Sequence, residues 1–316
     1  MAVYLGPKQI GFCGSMEIET ETPVVAQLLN KTLTSYSNNR ITSTGTAVFA
    51  YCSQLTDISL PNVTSIGSST FDGCSRLTTL NLPNVTSIGS YAFRSCGLVT
   101  ASFPKVTSVG QYAFNYCSQL VNISFPLITS IASYMFTSCR ALQSAIFPSI
   151  TYVGYEAFWS CTNLNNISFP KASILSTYAF EYCSALTTVS FPLVTSMGGS
   201  VFYCCTNLVN VSLPLVSSVG AAAFRSCNSL SRLSLPKVTW IGNNAFASCK
   251  QLISLNLSGI SAVPTLSGTS TFYSTPIGGY STVAGTYGSV YVPASLYNSF
   301  LTATNWSSIS SRIVSI

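Results

Sequence analysis

Cysteine is the residue type whose number and spacing in this 316-residue chain could most directly support chemistry, since 12 are present. Ten of them recur every 22 residues, with one interval of 21, from Cys52 to Cys249. Zinc sites need cysteines paired with each other or with histidines at short separations, but these cysteines stand a full interval apart and the chain has no histidine. We therefore predict no metal site and interpret the ten thiols as a column of small buried side chains. Cys13 and Cys204 fall outside the register, and we expect Cys204 to be the more exposed.

Acidic residues are the next candidates, because general acid–base catalysis needs positioned titratable groups. Within the repeated part of the chain they are Asp57, Asp72, Glu156 and Glu181, which fall one to a repeat. Without histidine, no serine or cysteine has the usual base of a nucleophilic triad. The sequence therefore predicts no catalytic residue, no cofactor site and no enzymatic activity.

Charge and hydrophobicity argue against two classes of partner. The net charge of +6 comes from 13 basic and 7 acidic residues, and the basic ones are scattered singly. A surface that follows phosphates needs clustered basic residues, so we predict no nucleic-acid binding. No stretch approaches the ~18 unbroken apolar residues of a spanning helix, so we predict no membrane insertion. No secretory signal is visible at the N-terminus, and we expect a mature form or another export route.

The phenylalanines define the elements that carry these residues. Ten of them, from Phe49 to Phe246, each precede a register cysteine by three positions. The repeat reads Phe-x-x-Cys-x-x-Leu-x-x-apolar-x-(Leu/Phe)-Pro-x-apolar-Thr-x-apolar-Gly. The short interval arises at Cys96-Gly97-Leu98, which lacks one residue of this pattern.

Each part of the repeat predicts a short element. Leu80–Leu82 alternates apolar, polar and apolar residues, which is the period of a strand. Pro83 cannot donate a sheet hydrogen bond, so the strand ends there. Val85–Ile88 predicts a second extended segment, and Gly89 permits a tight bend into a helical turn that directs Phe93 inward.

One such coil buries little surface alone, whereas stacked coils share a core. We therefore predict an α/β repeat solenoid of about ten coils, with a sheet of parallel strands, short helical turns and a cap at each end.

This repeat resembles the BspA-like leucine-rich repeats, a family of bacterial and protist surface repeats, over roughly residues 41 to 262. Leu-x-x-Leu-x-Leu is common to all leucine-rich repeats, but the proline after the strand, Thr-x-Ile-Gly and Phe-x-x-Cys narrow the match. The resemblance implies a leucine-rich-repeat solenoid with a role in adhesion or host contact.

The period predicts three segments: an N-terminal cap or attachment segment (1–40), the solenoid (41–262) and a C-terminal cap (263–316). The first segment breaks the period and carries three glutamates between residues 17 and 21, as suits an exposed sheet end. After Leu257 the period fails, and we expect the array to stop. Val290–Val292 predicts a last strand and Ala294–Thr304 a short helix, with Trp306 available to cover the final coil.

Two parallel rows of small polar residues on the predicted strands form the first candidate binding surface. Hydroxyl and amide groups bind a glycan or a protein strand at little side-chain ordering cost, although the rows also fit a merely solvated sheet face. The candidates are Ser124, Ser168, Ser190 and Ser212 in the outward row, and Asn122, Ser144, Asn166, Thr188 and Asn210 two positions earlier.

Aromatic residues near the phenylalanines form the second candidate surface. Aromatic faces stack on sugars and anchor protein interfaces, but a tyrosine two positions before a phenylalanine can equally pack over its neighbour. The candidates are Tyr112, Tyr134, Trp159 and Tyr178.

These features favour an extracellular, non-enzymatic recognition or adhesion module on a virion appendage or a cell surface. Its solenoid face would bind a host surface protein or glycan, and residues 1–40 would attach it to a neighbouring virion or surface structural protein. The alternatives are a secreted bacterial or protist surface adhesin of the BspA-like type, and a purely structural spacer.

Overall fold

Each repeat folds into one coil that contributes two short strands, and successive coils pair in parallel within a unit. The computed structural model describes residues 33–280 and 287–316. These belong to two compact units: unit 1 extends to Ile128 and includes Tyr134–Leu142, and unit 2 comprises Thr129–Ser133 and Gln143–Ile316. Each unit is a parallel-strand solenoid, as the repeat predicted.

The first series consists of three-residue strands. Except in the last strand of the chain, the central side chain is less exposed than its two neighbours, as in exposed Thr188, buried Val189 and exposed Ser190. In unit 1 they are β1 (Ser35–Ser37), β2 (Asp57–Ser59), β4 (Thr79–Asn81), β6 (Thr100–Ser102) and β8 (Asn122–Ser124). In unit 2 they are β10 (Ser144–Ile146), β12 (Asn166–Ser168), β14 (Thr188–Ser190), β16 (Asn210–Ser212), β18 (Arg232–Ser234), β20 (Ser254–Asn256) and β23 (Ile313–Ser315), with the four-residue β22 (Ser289–Val292).

The second series consists of two-residue strands from the Thr-x-apolar-Gly part of each repeat. In unit 1 they are β3 (Ser65–Ile66), β5 (Ser87–Ile88) and β7 (Ser108–Val109), which form one sheet. In unit 2 they are β9 (Ser130–Ile131), β11 (Tyr152–Val153), β13 (Ile174–Leu175), β15 (Ser196–Met197), β17 (Ser218–Val219), β19 (Trp240–Ile241) and β21 (Thr265–Leu266), which form one seven-stranded sheet.

The turn at each phenylalanine differs from the predicted helical turn. Tyr91 and Ser95, two residues before and after Phe93, have left-handed φ angles of 60° and 56°. The N–H groups of these three residues donate to carbonyls of the following coil at 3.0, 2.8 and 2.8 Å, whereas a helix would direct them along its own segment. We call this segment, from two residues before each phenylalanine to the cysteine three residues after it (Tyr91–Cys96 in this coil), the Phe corner.

Most Phe corners are preceded by a glycine, such as Gly89, which is favoured by close packing between coils rather than by its own backbone angles. A Cβ atom on Gly89 would lie 2.6 Å from the backbone nitrogen of Ser68 in the preceding coil. The predicted role in a tight bend is therefore replaced by a role in coil-to-coil contact.

The core of each unit contains a stack of phenylalanine rings from the Phe corners. In unit 1 the rings of Phe49 and Phe71 lie 5.4 Å apart and 3° from parallel, and in unit 2 those of Phe158 and Phe180 lie 5.3 Å apart at 4°. All four side chains are at most 2% exposed. Offset ring stacking at this spacing adds to the stabilisation from apolar burial.

Parallel stacking also extends beyond residues 41–262. β1, within the predicted N-terminal segment, pairs with β2 in the register of the later strands. Phe272 stacks on Phe246 at 5.6 Å although it lies 26 residues later, so the array does not stop at Leu257. Residues 1–32, including the three glutamates, lie outside the described residues.

The C-terminal segment covers the last two-residue strand. It contains a 3-10 turn at Thr269–Phe272, the predicted strand as β22, and a 3-10 turn (Ala294–Leu296) that leads into an α-helix (Tyr297–Thr302). A further 3-10 segment, Trp306–Arg312, precedes β23. The buried Trp306 indole donates to the Pro264 carbonyl at 2.8 Å, beside β21. Among the described residues, no helix has the length and apolar character to cross a membrane.

Candidate binding surface

The outward side chains of the three-residue strands form a polar surface, which we call the strand face. Eight of its nine candidate residues are exposed and Ser144 is half-buried. In unit 2, Thr188 lies opposite Asn210 and Ser190 opposite Ser212, so the two rows run side by side within this sheet. The Asn210 amide donates to the Thr188 hydroxyl at 3.3 Å, which partly satisfies both groups.

Backbone pairing of the three-residue strands is interrupted at regular places. In unit 1 the sheets are β1-β2-β4 and β6-β8; in unit 2 they are β10-β12, β14-β16 and β18-β20-β22-β23. Strand edges within each unit therefore lie next to one another without forming a continuous sheet.

A cleft of about 460 Å³ opens in unit 1 over β4, β6 and β8. Two candidate residues, Asn122 and Ser124, line it together with Thr79, Ala101 and Ser102. The sequence pattern identified the polar rows but not this cleft, because the depth of a surface depends on how neighbouring coils pair.

The aromatic candidates are half-buried, and each ring contacts a neighbouring aromatic ring. Tyr112 lies between Tyr91 and Tyr134 with centroid distances of 4.6 and 4.3 Å and interplanar angles of 5° and 7°. Both faces of the Tyr112 ring are therefore covered, which favours the packing interpretation for this residue.

The aromatic candidates in unit 2 make edge-to-face contacts. Tyr178 meets Tyr155 at 5.4 Å and 88°, and Trp159 meets Tyr182 at 5.8 Å and 87°. Because these rings pack edge to face against their neighbours, they do not form one flat aromatic surface on which a sugar could stack.

The acidic residues are less dispersed than the sequence suggested. Glu181 is buried, and burial raises its pKa to about 7, with the negative charge of Glu156 on the preceding coil acting in the same direction. A hydrogen bond from Trp159 opposes this increase. In unit 1, Asp72 forms a two-point ion pair with Arg94, at 2.8 Å to Nε and 2.6 Å to Nη2. Neither contact could be read from the repeat, because it depends on which side chains occupy neighbouring coils.

The register cysteines line the inside of the Phe corners, and every one of them is buried. Each of several thiols donates to a phenylalanine carbonyl of the preceding coil, as in Cys117 to Phe93 at 3.0 Å and Cys249 to Phe224 at 2.9 Å. Burial raises the pKa of Cys117 to about 12, which disfavours the reactive thiolate. Cys204 is half-buried, which confirms that it is more exposed than the register cysteines, and Cys13 lies outside the described residues.

The part of the chain that the structure describes contains no group of three or more metal-ligating side chains.

Comparison with known sequences identifies the family. The profile described as the BspA type leucine rich repeat region matches residues 42–165 and 151–277, in six copies. The chain belongs to this family. No curated protein matches its sequence.

Solved structures of other leucine-rich-repeat proteins resemble this BspA-type chain. A leucine rich cell surface protein from Faecalibacterium prausnitzii is 24% identical, with 90% of this chain and 84% of that chain covered and a TM-score of 0.50. A leucine-rich repeat protein from Bacteroides ovatus is 21% identical, with 90% and 91% covered and a TM-score of 0.44. The first likeness supports the leucine-rich-repeat fold.

Proposed function

We propose that this chain is a recognition or adhesion module that binds a host surface protein or glycan through its strand face. The observation that carries the proposal is the contrast between the buried phenylalanines and cysteines of the Phe corners and a strand face made mostly of exposed small polar groups. Leucine-rich-repeat proteins are generally non-catalytic and mediate protein interactions, which supports binding over turnover.

The strand face suits binding on physical grounds. Serine, threonine and asparagine side chains have few rotamers to lose, and a strand surface built on stacked coils is already ordered. In unit 2, Ser168, Ser190 and Ser212 supply such groups on β12, β14 and β16.

An extracellular location, on a cell surface or a virion appendage, belongs to the same proposal. The relative from Faecalibacterium prausnitzii is described as a cell surface protein. Residues 1–40 would attach the chain to a neighbouring structural protein. Deletion of residues 1–32, which leaves β1 in place, should abolish incorporation into the native particle or envelope; unchanged incorporation would refute the attachment role.

Charge placed on the strand face tests the proposal. A variant with lysine at Ser168, Ser190 and Ser212 should lose at least tenfold in affinity for whichever probe the unmodified chain binds on a glycan array or a panel of fibronectin, laminin and collagen. A matched variant carries the same three changes at Ser130, Ser196 and Ser218, the outward serines of two-residue strands. The proposal would be contradicted if the strand-face variant and the matched variant bound the probe with equal affinity, or if the unmodified chain bound no probe.

A further inference from the structure

The cleft over β4, β6 and β8 combines a cavity with an interrupted sheet. We infer that this cleft is a binding site for a neutral oligosaccharide, an inference that rests on the proposed recognition function and specifies its ligand. The cleft holds about 460 Å³, which lies within the range of small-ligand sites and exceeds the space that one sugar ring needs.

Backbone groups are left without ladder partners at the cleft. On either side of it, the Leu60 N–H donates to the Asn81 carbonyl and the Phe103 N–H to the Ser124 carbonyl, both at 3.0 Å. The equivalent bond from Leu82 to Ser102 is not formed in unit 1, where β4 and β6 belong to separate sheets. Leu82 and Ser102 both line the cleft, so it offers a backbone donor and acceptor as well as side chains.

Two sequence features reduce the volume that the protein fills between β4 and β6, where the cleft opens. The repeat that leads into β6 is one residue short at Gly97, where a Cβ atom would lie only 2.4 Å from the Ser75 carbonyl oxygen. The chain is therefore drawn tightly against the preceding coil before the strand begins. The central residue of β6 is Ala101, whereas Leu80 and Ile123 occupy this position in the flanking strands.

The lining chemistry selects an uncharged ligand. No lining residue is ionisable. A charged group would lose hydration in the cleft without gaining a counter-charge. A neutral sugar presents hydroxyl groups that both donate and accept, and C–H faces that suit apolar surface. The cleft matches both features, with hydroxyl and amide groups at Thr79, Thr100, Ser102, Asn122 and Ser124 and apolar surface at Ala101.

The chain contains an internal control for this site. β8 and β12 share the sequence Asn-Ile-Ser, and each pairs with a preceding strand whose central residue is alanine. Only the first of these two tripeptides, Asn122–Ser124, lines the cleft.

The test measures binding of maltohexaose, cellohexaose, laminarihexaose and chitohexaose to the full chain by calorimetry, with heparin and sialyllactose as charged comparisons. At least one neutral hexasaccharide should bind, and the charged glycans should bind at least tenfold more weakly. Ala101→Leu, which fills the cleft with a side chain that neighbouring coils use at this position, should weaken binding at least tenfold. Asn122→Ala with Ser124→Ala should do the same, whereas Asn166→Ala with Ser168→Ala should leave affinity within twofold.

Circular dichroism melting of each variant shows whether the fold is retained, and the paired alanine variants keep the test valid if Ala101→Leu does not fold. Stronger binding of heparin, no binding of any hexasaccharide, or equal losses in both alanine pairs would overturn the inference. The recognition function would still stand if a protein probe binds and the lysine variant of unit 2 loses it. It would fail separately if no probe binds at all.

Discussion

The Phe corner and the strand face of the same coil differ in how they hold the chain. In the coil of Phe180, the corner N–H groups of Tyr178, Phe180 and Tyr182 all donate to carbonyls of the next coil, at 2.9 to 3.0 Å. The strand face of that coil, on β14, pairs with β16 but belongs to a different sheet from β12. The N–H groups of the corner are thus bonded and its Phe180 and Cys183 side chains are buried, whereas the strand face is exposed and intermittently paired.

This difference indicates which part of the repeat is constrained. A phenylalanine and a cysteine recur at the corner because the space that each one fills is the same in every coil. Outward strand residues face water, so their identity can change with little effect on stability. Stability is therefore carried mainly by the Phe corner of each coil, and the proposed recognition would be carried by the strand face.

The largest expected effect is the loss of a corner ring. Phe158→Ala should lower the free energy of unfolding by about 3–5 kcal/mol, because the substitution leaves a cavity between stacked rings. Urea denaturation followed by circular dichroism measures this loss. A change below about 1 kcal/mol would show that the phenylalanine stack is not what stabilises the corner.

A smaller, pH-dependent effect is expected at Glu181, a carboxyl group within a Phe corner. Folding raises the pKa of this carboxyl group from 4.5 to about 7. As pH rises between these two values, the unfolded chain loses the proton while the folded chain keeps it, so the free energy of unfolding falls until about pH 7. Glu181→Gln should be more stable than the unmodified chain by about 1–2 kcal/mol at pH 8 and equal to it at pH 4.

Urea denaturation across this pH range measures the difference for Glu181→Gln. Glu156→Gln is the matched change, since removing its negative charge should move the transition to lower pH without abolishing it. A stability difference that does not vary with pH would contradict the assignment to Glu181.

A still smaller loss of stability is expected for Gly73→Ala, which tests how backbone strain and side-chain contact contribute in a Phe corner. Gly73 has φ of 72°, but Ser95 occupies the same position in the next coil with φ of 56°. The cost of Gly73→Ala, about 1 kcal/mol, should therefore combine the left-handed strain that Ser95 also bears with a contact against Tyr51, whose Cδ1 atom lies 2.6 Å from the added Cβ. In the Tyr51→Ala background the same substitution should cost less, because only the backbone strain remains. An unchanged cost would assign the whole loss to the backbone.

The smallest effect is expected on the strand face. Ser190→Lys should change the free energy of unfolding by less than about 0.5 kcal/mol, because Ser190 is exposed. Thermal melting alongside Phe158→Ala makes the comparison direct. A loss similar to that of the phenylalanine variant would remove the distinction between the two parts of the coil.

Much of the fold followed from periodicity, while several local features did not. A strand was predicted from alternation at Leu80–Leu82, and the structure places it one residue earlier, at Thr79–Asn81. The buried column of cysteines was predicted from spacing. The helical turn was not confirmed, because left-handed angles at Tyr91 and Ser95 direct N–H groups towards the next coil. Such angles are favourable only when a neighbouring coil accepts those bonds, and no local sequence preference reports this.

The amino-acid sequence by itself determined the repeat length, the inward columns and the polar outward rows, since these depend on residue spacing along the chain. Only the tertiary structure decided which coils pair along the strand face, where the cleft opens, and that Glu156 acts on Glu181 across 25 residues. These features arise between coils, where distances and hydrogen bonds depend on how one turn of the chain rests on the next.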